Sequence, residues 1–182
     1  MGPRGPHAAS GRGTLGAVRH PTPDPAGPGQ ESVWDYPRPP SAQVTGRRVE
    51  VTAGGQVVAT TDRAVRVCET SHPPVYYVPR DDVVPGVLER GDGSSWCEFK
   101  GQATYWDLVV DGVRRPSVAW SYERPSPGYE HLAGAVAFYP SRVDGATVDG
   151  EPVRAQAGDF YGGWITADVV GPFKGEPGTR GW

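Results

Sequence analysis

The sequence predicts a mainly β protein, either a compact antiparallel barrel or two packed sheets, with one short helix and a disordered N-terminal tail. Three observations predict it. The 182-residue chain holds 26 Gly and 20 Pro, which leave little room for long helices. Runs of Val and aromatic residues recur at strand length, and several are joined by Gly-Gly or Asp-Gly pairs that accept the positive φ angles of tight hairpin turns. With 37% hydrophobic and 10% aromatic residues, the chain can bury a core rich in Trp and Tyr.

Residues 1–30 carry seven Gly and six Pro without an aromatic side chain or an apolar period, so nothing offsets the entropy of ordering them. They are expected to form the disordered tail. A β-rich domain is expected over residues 31–157, where Val33, Trp34 and Tyr36 are the first large side chains and Pro37 to Pro40 form an extended connector. Three hairpins follow from the turns Ala53-Gly54-Gly55, Asp111-Gly112 and Asp149-Gly150. Further strands are expected at Ala64 to Thr70, Val75 to Val78, Val118 to Tyr122 and Ala135 to Tyr139. The single helix is placed between Asp82 and Leu88, with Asp81 or Asp82 as its cap and Pro85 early enough to be tolerated. Residues 158–182 read as a glycine- and aromatic-rich extension that packs on the domain or on a partner.

Charge and cysteine content narrow the function. The formal net charge is −3, and residues 31–182 carry 15 basic and 20 acidic side chains, which argues against a nucleic-acid partner. No stretch approaches the roughly 20 apolar residues of a membrane span, and no signal-peptide pattern opens the chain, so no membrane partner and a cytoplasmic location are expected. Cys68 and Cys97 are too few for a disulfide scaffold and read as free thiols. Only Lys100 and Lys174 among the 18 basic residues are lysine, the bias of a GC-rich genome.

Alternation along a strand sends neighbouring side chains to opposite faces. Val65 and Val67 therefore share a face with Glu69, so a strand planting two valines inward sends a carboxylate the same way. Val118, Trp120 and Tyr122 share a face, as do Val136 and Phe138. The densest chemistry lies from Trp96 to Asp107, where Cys97 and Lys100 sit among Trp96, Phe99, Tyr105 and Trp106. An ammonium group among aromatic rings is held by cation–π contact or, when desolvated, becomes a base or nucleophile. Upstream, Glu69-Thr70-Ser71-His72 brings a carboxylate and an imidazole to a strand end, followed by Tyr76-Tyr77. No histidine pair has metal-ligand spacing, so no metal is expected. Phosphate-binding loops, dinucleotide fingerprints and nucleophile elbows are absent, and no cofactor follows from these motifs.

On these residues the sequence resembles the domain of unknown function 427 family, a mostly bacterial group. The likeness rests on the Val-x-Glu strand ending at Glu69, Tyr76-Tyr77-Val78-Pro79 with Asp82-Val83, and Cys97-x-x-Lys100-Gly101. It continues through Tyr105-Trp106, Ala119-Trp120-x-Tyr122-x-x-Pro125 and Gly134-x-Val136-Ala137-Phe138-Tyr139, covering about Val49 to Val143. The segments Gly158 to Trp164 and Gly171 to Gly175 resemble an extension of an actinobacterial branch. The resemblance implies a compact antiparallel β domain and assigns no mechanism.

Members of the family are sometimes labelled nucleotidyltransferase-like. That chemistry requires a Gly-Ser turn followed by two carboxylates two residues apart on a strand, so that both grip one metal pair. Gly93-Ser94 is present, but Asp107 and Asp111 lie four residues apart, about 13 Å along a strand, and Asp111 starts a hairpin turn.

Glu69, Tyr76, Cys97, Lys100, Tyr105, Trp120 and Tyr122 are the candidate ligand-binding residues, with Glu69, Lys100 and Cys97 the candidates for chemistry. The leading expectation is a small polar or aromatic metabolite in an aromatic-lined pocket. The alternative is a non-catalytic interaction module, docking a partner or closing a homodimer through Trp164, Phe173 and Trp182 of the extension.

Overall fold

The computed structural model describes residues 21–158 and 160–182. In chain order its strands are β1 (Glu31–Ser32), β2 (Ser41–Val44), β3 (Val49–Ala53), β4 (Gln56–Thr61), β5 (Val65–Cys68), β6 (Val75–Pro79), β7 (Leu88–Cys97), β8 (Gly101–Val110), β9 (Val113–Ser121), β10 (Ala135–Phe138), β11 (Gly145–Val148), β12 (Glu151–Pro152), β13 (Arg154–Ala155), β14 (Trp164–Ile165) and β15 (Val169–Val170). Seven of them form one antiparallel sheet in the order β2-β5-β6-β10-β9-β8-β7, and four form a second in the order β12-β11-β3-β4. Of the two expected architectures the chain takes packed sheets, not a closed barrel.

All three hairpins form where the turn residues place them. Asp111 and Gly112, and likewise Asp149 and Gly150, have positive φ at both central positions, the geometry that matches the right-handed twist of the joined strands. Gly54 and Gly55 make the β3–β4 turn in the same left-handed region.

Period-two alternation then assigns the faces. Tyr76 and Val78 of β6 and Val136 and Phe138 of β10 pack against Val49 and Val51 of β3, Val58 of β4 and Val148 of β11, filling the space between the sheets. Full burial of each such side chain contributes about 1.5–3 kcal/mol. Val118 joins this core and so parts from Trp120 and Tyr122, with which it was expected to share a face. The other face of the large sheet carries Val65, Val67, Tyr77, Trp120, Tyr122 and Ala137. Tyr129 and Leu132, from the loop after β9, cover part of it.

The helix expected between Asp82 and Leu88 does not form. A single 3₁₀ turn spans Arg80–Asp82, and beyond it Val83 bridges Ala59 of β4 while the Val84 N–H donates to Val58 O. Two β-branched residues followed by Pro85 and a left-handed Gly86 (φ +80°) favour extended pairing over helix there. The ten-residue strand β7 falls where no strand was expected. Its Gly, Ser and charged residues have weak strand propensity, and its ladder with β8, interrupted between Arg90 and Ser94, holds it in place.

Residues 1–20 of the expected tail lie outside the described residues. From Asp24 the chain runs beside the C-terminal segment: the Asp24 N–H donates to Gly171 O, the Gln30 side chain donates to Ala167 O, and β1 pairs in parallel with β15.

Candidate functional site

The outer face of the seven-stranded sheet is where aromatic and charged side chains converge. β5 directs Val67 and, just past its end, Glu69; β6 directs Tyr77; β8 directs Ala103 and Tyr105; β9 directs Trp120 and Tyr122. Together with the β7–β8 turn they enclose a cavity of about 410 Å³. Its aromatic wall is tied internally: the Trp120 indole N–H donates to the Tyr77 hydroxyl at 3.0 Å, and the Trp120 and Tyr139 rings lie 4.4 Å apart. Burial pushes the Tyr77 and Tyr122 phenols well above their ordinary range, so both remain neutral.

One end of the cavity is charged. The Glu69 carboxylate accepts from Arg38 Nη1 at 3.0 Å through one oxygen and lies 3.7 Å from Lys100 Nζ through the other. Lys100 sits in the turn between β7 and β8 and is only 8% exposed. Its carbonyl accepts from the Ser126 N–H, and the next residue, Gly101 (φ +95°), faces Ser126 closely enough that a β-carbon would lie 3.1 Å from its hydroxyl. The Arg38 guanidinium lies over the Phe99 ring, 5.1 Å from its centre, and also donates to Glu98.

His72 stands beside this cluster on a left-handed Ser71 (φ 70°). Its Nδ1 lies 3.0 Å from Thr70 O, a group that can only accept, so Nδ1 carries the proton and Nε2 is an acceptor. Nε2 is buried and meets no partner among the described residues. Burial holds the imidazole below its ordinary range, against the opposing pull of Glu69, and keeps it neutral near pH 7.

The C-terminal extension completes the cavity. Gly163 donates to Gln156 Oε1 and Gln156 donates to Lys174 O, closing a loop that brings Phe160, Tyr161 and Lys174 onto the site. The Tyr161 ring meets His72 edge-on at 4.5 Å. Lys174 Nζ lies 5.7 Å from the centre of the Tyr161 ring and donates to Trp182 O. Burial lowers the Lys174 ammonium from its ordinary value, and the positive charge of Arg38 adds to the effect. Trp164 is fully buried, donates to Phe138 O, and packs its ring 5.4 Å from that of Tyr76.

Six of the seven sequence-derived candidates line this one cavity: Glu69, Cys97, Lys100, Tyr105, Trp120 and Tyr122. Tyr76 does not. It points into the core between the sheets, and its neighbour Tyr77 takes the cavity position, because adjacent strand residues face opposite sides. Arg38, Tyr139, Gln156, Phe160, Tyr161 and Lys174 also line the cavity, and no local spacing in the sequence marks them. Two signals point to Lys174: the rarity of lysine, since both lysines of the chain line the same cavity, and its place in the Gly171 to Gly175 segment of the extension.

The two aspartates tested against a nucleotidyltransferase pattern serve the backbone. Asp107 accepts from the Ser117 N–H at 2.9 Å and from Arg114, and the first of these bonds is the main cause holding its carboxyl below the usual range. Asp111 is a turn residue with φ 50°. Both cysteines are free, and burial pushes the Cys68 thiol up to about 11. Among the described residues no three His, Cys, Asp or Glu side chains gather as a metal-binding group, and no helix is long and apolar enough to cross a membrane.

A family model described as a domain of unknown function (DUF427) matches residues 41–149. The match takes in β2 through β11 with the aromatic wall, Glu69 and Lys100, and leaves Arg38 and the C-terminal cavity residues outside it. No curated protein matches the chain.

Proposed function

We propose that this chain, which belongs to the domain of unknown function 427 family, binds a small polar or aromatic molecule in the aromatic-lined cavity. Glu69 and Lys100 fix the polar edge of the ligand, and Tyr105, Trp120 and Tyr122 supply the walls. The observation that carries this reading is the convergence of Glu69, Cys97, Lys100, Tyr105, Trp120 and Tyr122 on one cavity of about 410 Å³, within the size range of small-molecule sites, about 300–1,000 Å³. A buried ion pair beside partnered phenols gives such a site both apolar area and directional polar groups. Cys97 and Lys100 are the two wall residues suited to a covalent step.

A thermal-shift screen against nucleotides, coenzymes, amino acids, sugars and aromatic acids tests the reading, because a ligand that binds only the native state raises the melting point by mass action. The expected result is a reproducible rise that disappears in Lys100→Met or in Glu69→Gln while both variants remain folded by circular dichroism. A panel without any shift, or a shift that both substitutions leave intact, overturns it.

A second reading, an interaction module, is favoured by two exposed aromatic side chains that line the cavity: Trp96 and Phe160 are 74% and 63% exposed. Trp164, Phe173 and Trp182 pack instead on the chain's own residues, leaving Phe160 as the extension's outward aromatic group. On this reading Phe160→Ser lowers the mass measured by light scattering; an unchanged mass counts against it.

A further inference from the structure

The cavity of the proposed binding function has a second charged feature that the candidate residues alone do not reveal. Arg38, Lys100 and Lys174 all line it, and Lys100 and Lys174 are the only lysines in the chain. Among the described lining residues, two carboxylates oppose these three cations. Glu69 lies between Arg38 and Lys100, while Glu98, with its side chain 65% exposed, pairs with the outer edge of Arg38. Lys174 donates to Trp182 O and senses both Arg38 and Glu69. At this end of the cavity three lining cations therefore stand against two lining carboxylate side chains beside aromatic rings, with Lys100 buried, Lys174 half-buried and Arg38 half-exposed.

His72 borders the same cavity as a neutral imidazole, with Nδ1 committed to Thr70 O and the ring held edge-on to Tyr161.

We propose that the ligand is a flat aromatic acid, with its ring against the Trp120 wall and its carboxylate held by Arg38, Lys100 and Lys174. This rests on the binding function proposed above and assigns a chemical class to it. It also divides the work between the parts of the chain: residues 41–149 furnish the aromatic wall with Glu69, Lys100 and His72, and the flanking segments add Arg38 and Lys174. Two of the three cations that select an anion therefore lie on the flanks, outside the matched family domain.

Isothermal titration calorimetry of the full chain with isosteric pairs tests the assignment: indole-3-acetate against indole-3-acetamide, and 4-hydroxybenzoate against 4-hydroxybenzamide. Within at least one pair the acid is expected to bind about tenfold more tightly than the amide, the usual scale for a hydrogen bond to a charged group. Lys174→Met is expected to erase that preference by weakening binding of the acid. Arg38→Gln, at a half-exposed side chain, gives the same comparison should the Lys174 variant fold poorly. Acid and amide binding equally well, or a preference that survives both substitutions, overturns the charge assignment and leaves the cavity as a binding site. Absence of binding by all four compounds, with the Trp120 indole ¹⁵N–¹H signal unmoved by each, overturns the class assignment. The broader reading then stands or falls by the thermal-shift panel.

Discussion

Gly162 lies against the face of Trp120 so closely that a β-carbon at position 162 would sit 2.5 Å from the indole ring. This contact joins the C-terminal extension to the aromatic wall. It exists only because residue 162 lacks a side chain and adopts φ +66°.

Gly162→Ala is expected to destabilise the fold by about 2–4 kcal/mol, combining the left-handed backbone penalty with overpacking against Trp120 and Tyr139. Gly128→Ala is the control: φ is +91° there and no atom lies within 4 Å of the added carbon, so only the backbone part, about 1–2 kcal/mol, remains. Urea unfolding of both variants separates the two contributions, and equal losses would show that the Trp120 contact yields without penalty.

Glu69 and Lys100 are expected to respond unequally to neutralisation. Glu69→Gln strips the only carboxylate ion-paired with Lys100 among the described residues and should cost about 1–3 kcal/mol. Lys100→Met puts an unbranched apolar chain among the rings and leaves Glu69 paired with Arg38, so its effect should stay within about 1 kcal/mol. Denaturant midpoints in matched salt give the order directly; the reverse order would remove Lys100 from the ion-paired cluster.

Tyr76 and Tyr77 are adjacent in sequence and opposite in function. Tyr77→Phe leaves the buried Trp120 N–H without its acceptor and should destabilise by about 1–3 kcal/mol. Tyr76→Phe removes a buried hydroxyl that meets no partner in hydrogen-bond geometry, so the fold should be unchanged or slightly more stable. Thermal unfolding of the two variants side by side checks the contrast, which a Tyr76→Phe loss as large as that of Tyr77→Phe would abolish.

His72 sets a pH dependence. Its folded-state pKa is lowered by burial, so the unfolded chain binds a proton more readily than the folded one. Stability from this residue is complete above the unfolded value, about pH 6.5, and declines as pH falls below it. Asp82, Asp107, Asp144, Asp149 and Asp168, also lowered, act in a more acidic window, below their ordinary value of 3.8. Urea midpoints at pH 7.5 and 5.5 should therefore fall more for the wild type than for His72→Gln. Equal falls would place the sensitivity elsewhere.

By itself the sequence determined the hairpins, most strand positions and most of the cavity wall. Gly-Gly and Asp-Gly turns and two-residue alternation act within a few bonds, so Val67 and Glu69, and likewise Trp120 and Tyr122, share a face, although Val118 of the same strand packs in the other core. Tertiary structure decided what depends on partners distant in sequence. Pairing of Val83 with Ala59 overrode a local helix signal, and the β8 ladder made a strand of the glycine-containing β7. Which of Tyr76 and Tyr77 meets the cavity follows from which face of the large sheet the β3–β4 layer covers. Arg38, Tyr161 and Lys174 reach Glu69 and His72 only because the two flanks fold back over the sheet, and no period or local spacing encodes contacts closed over such separations, from 31 residues for Arg38 and Glu69 upward. Local geometry is written residue by residue, whereas convergence is settled by which buried surfaces find each other.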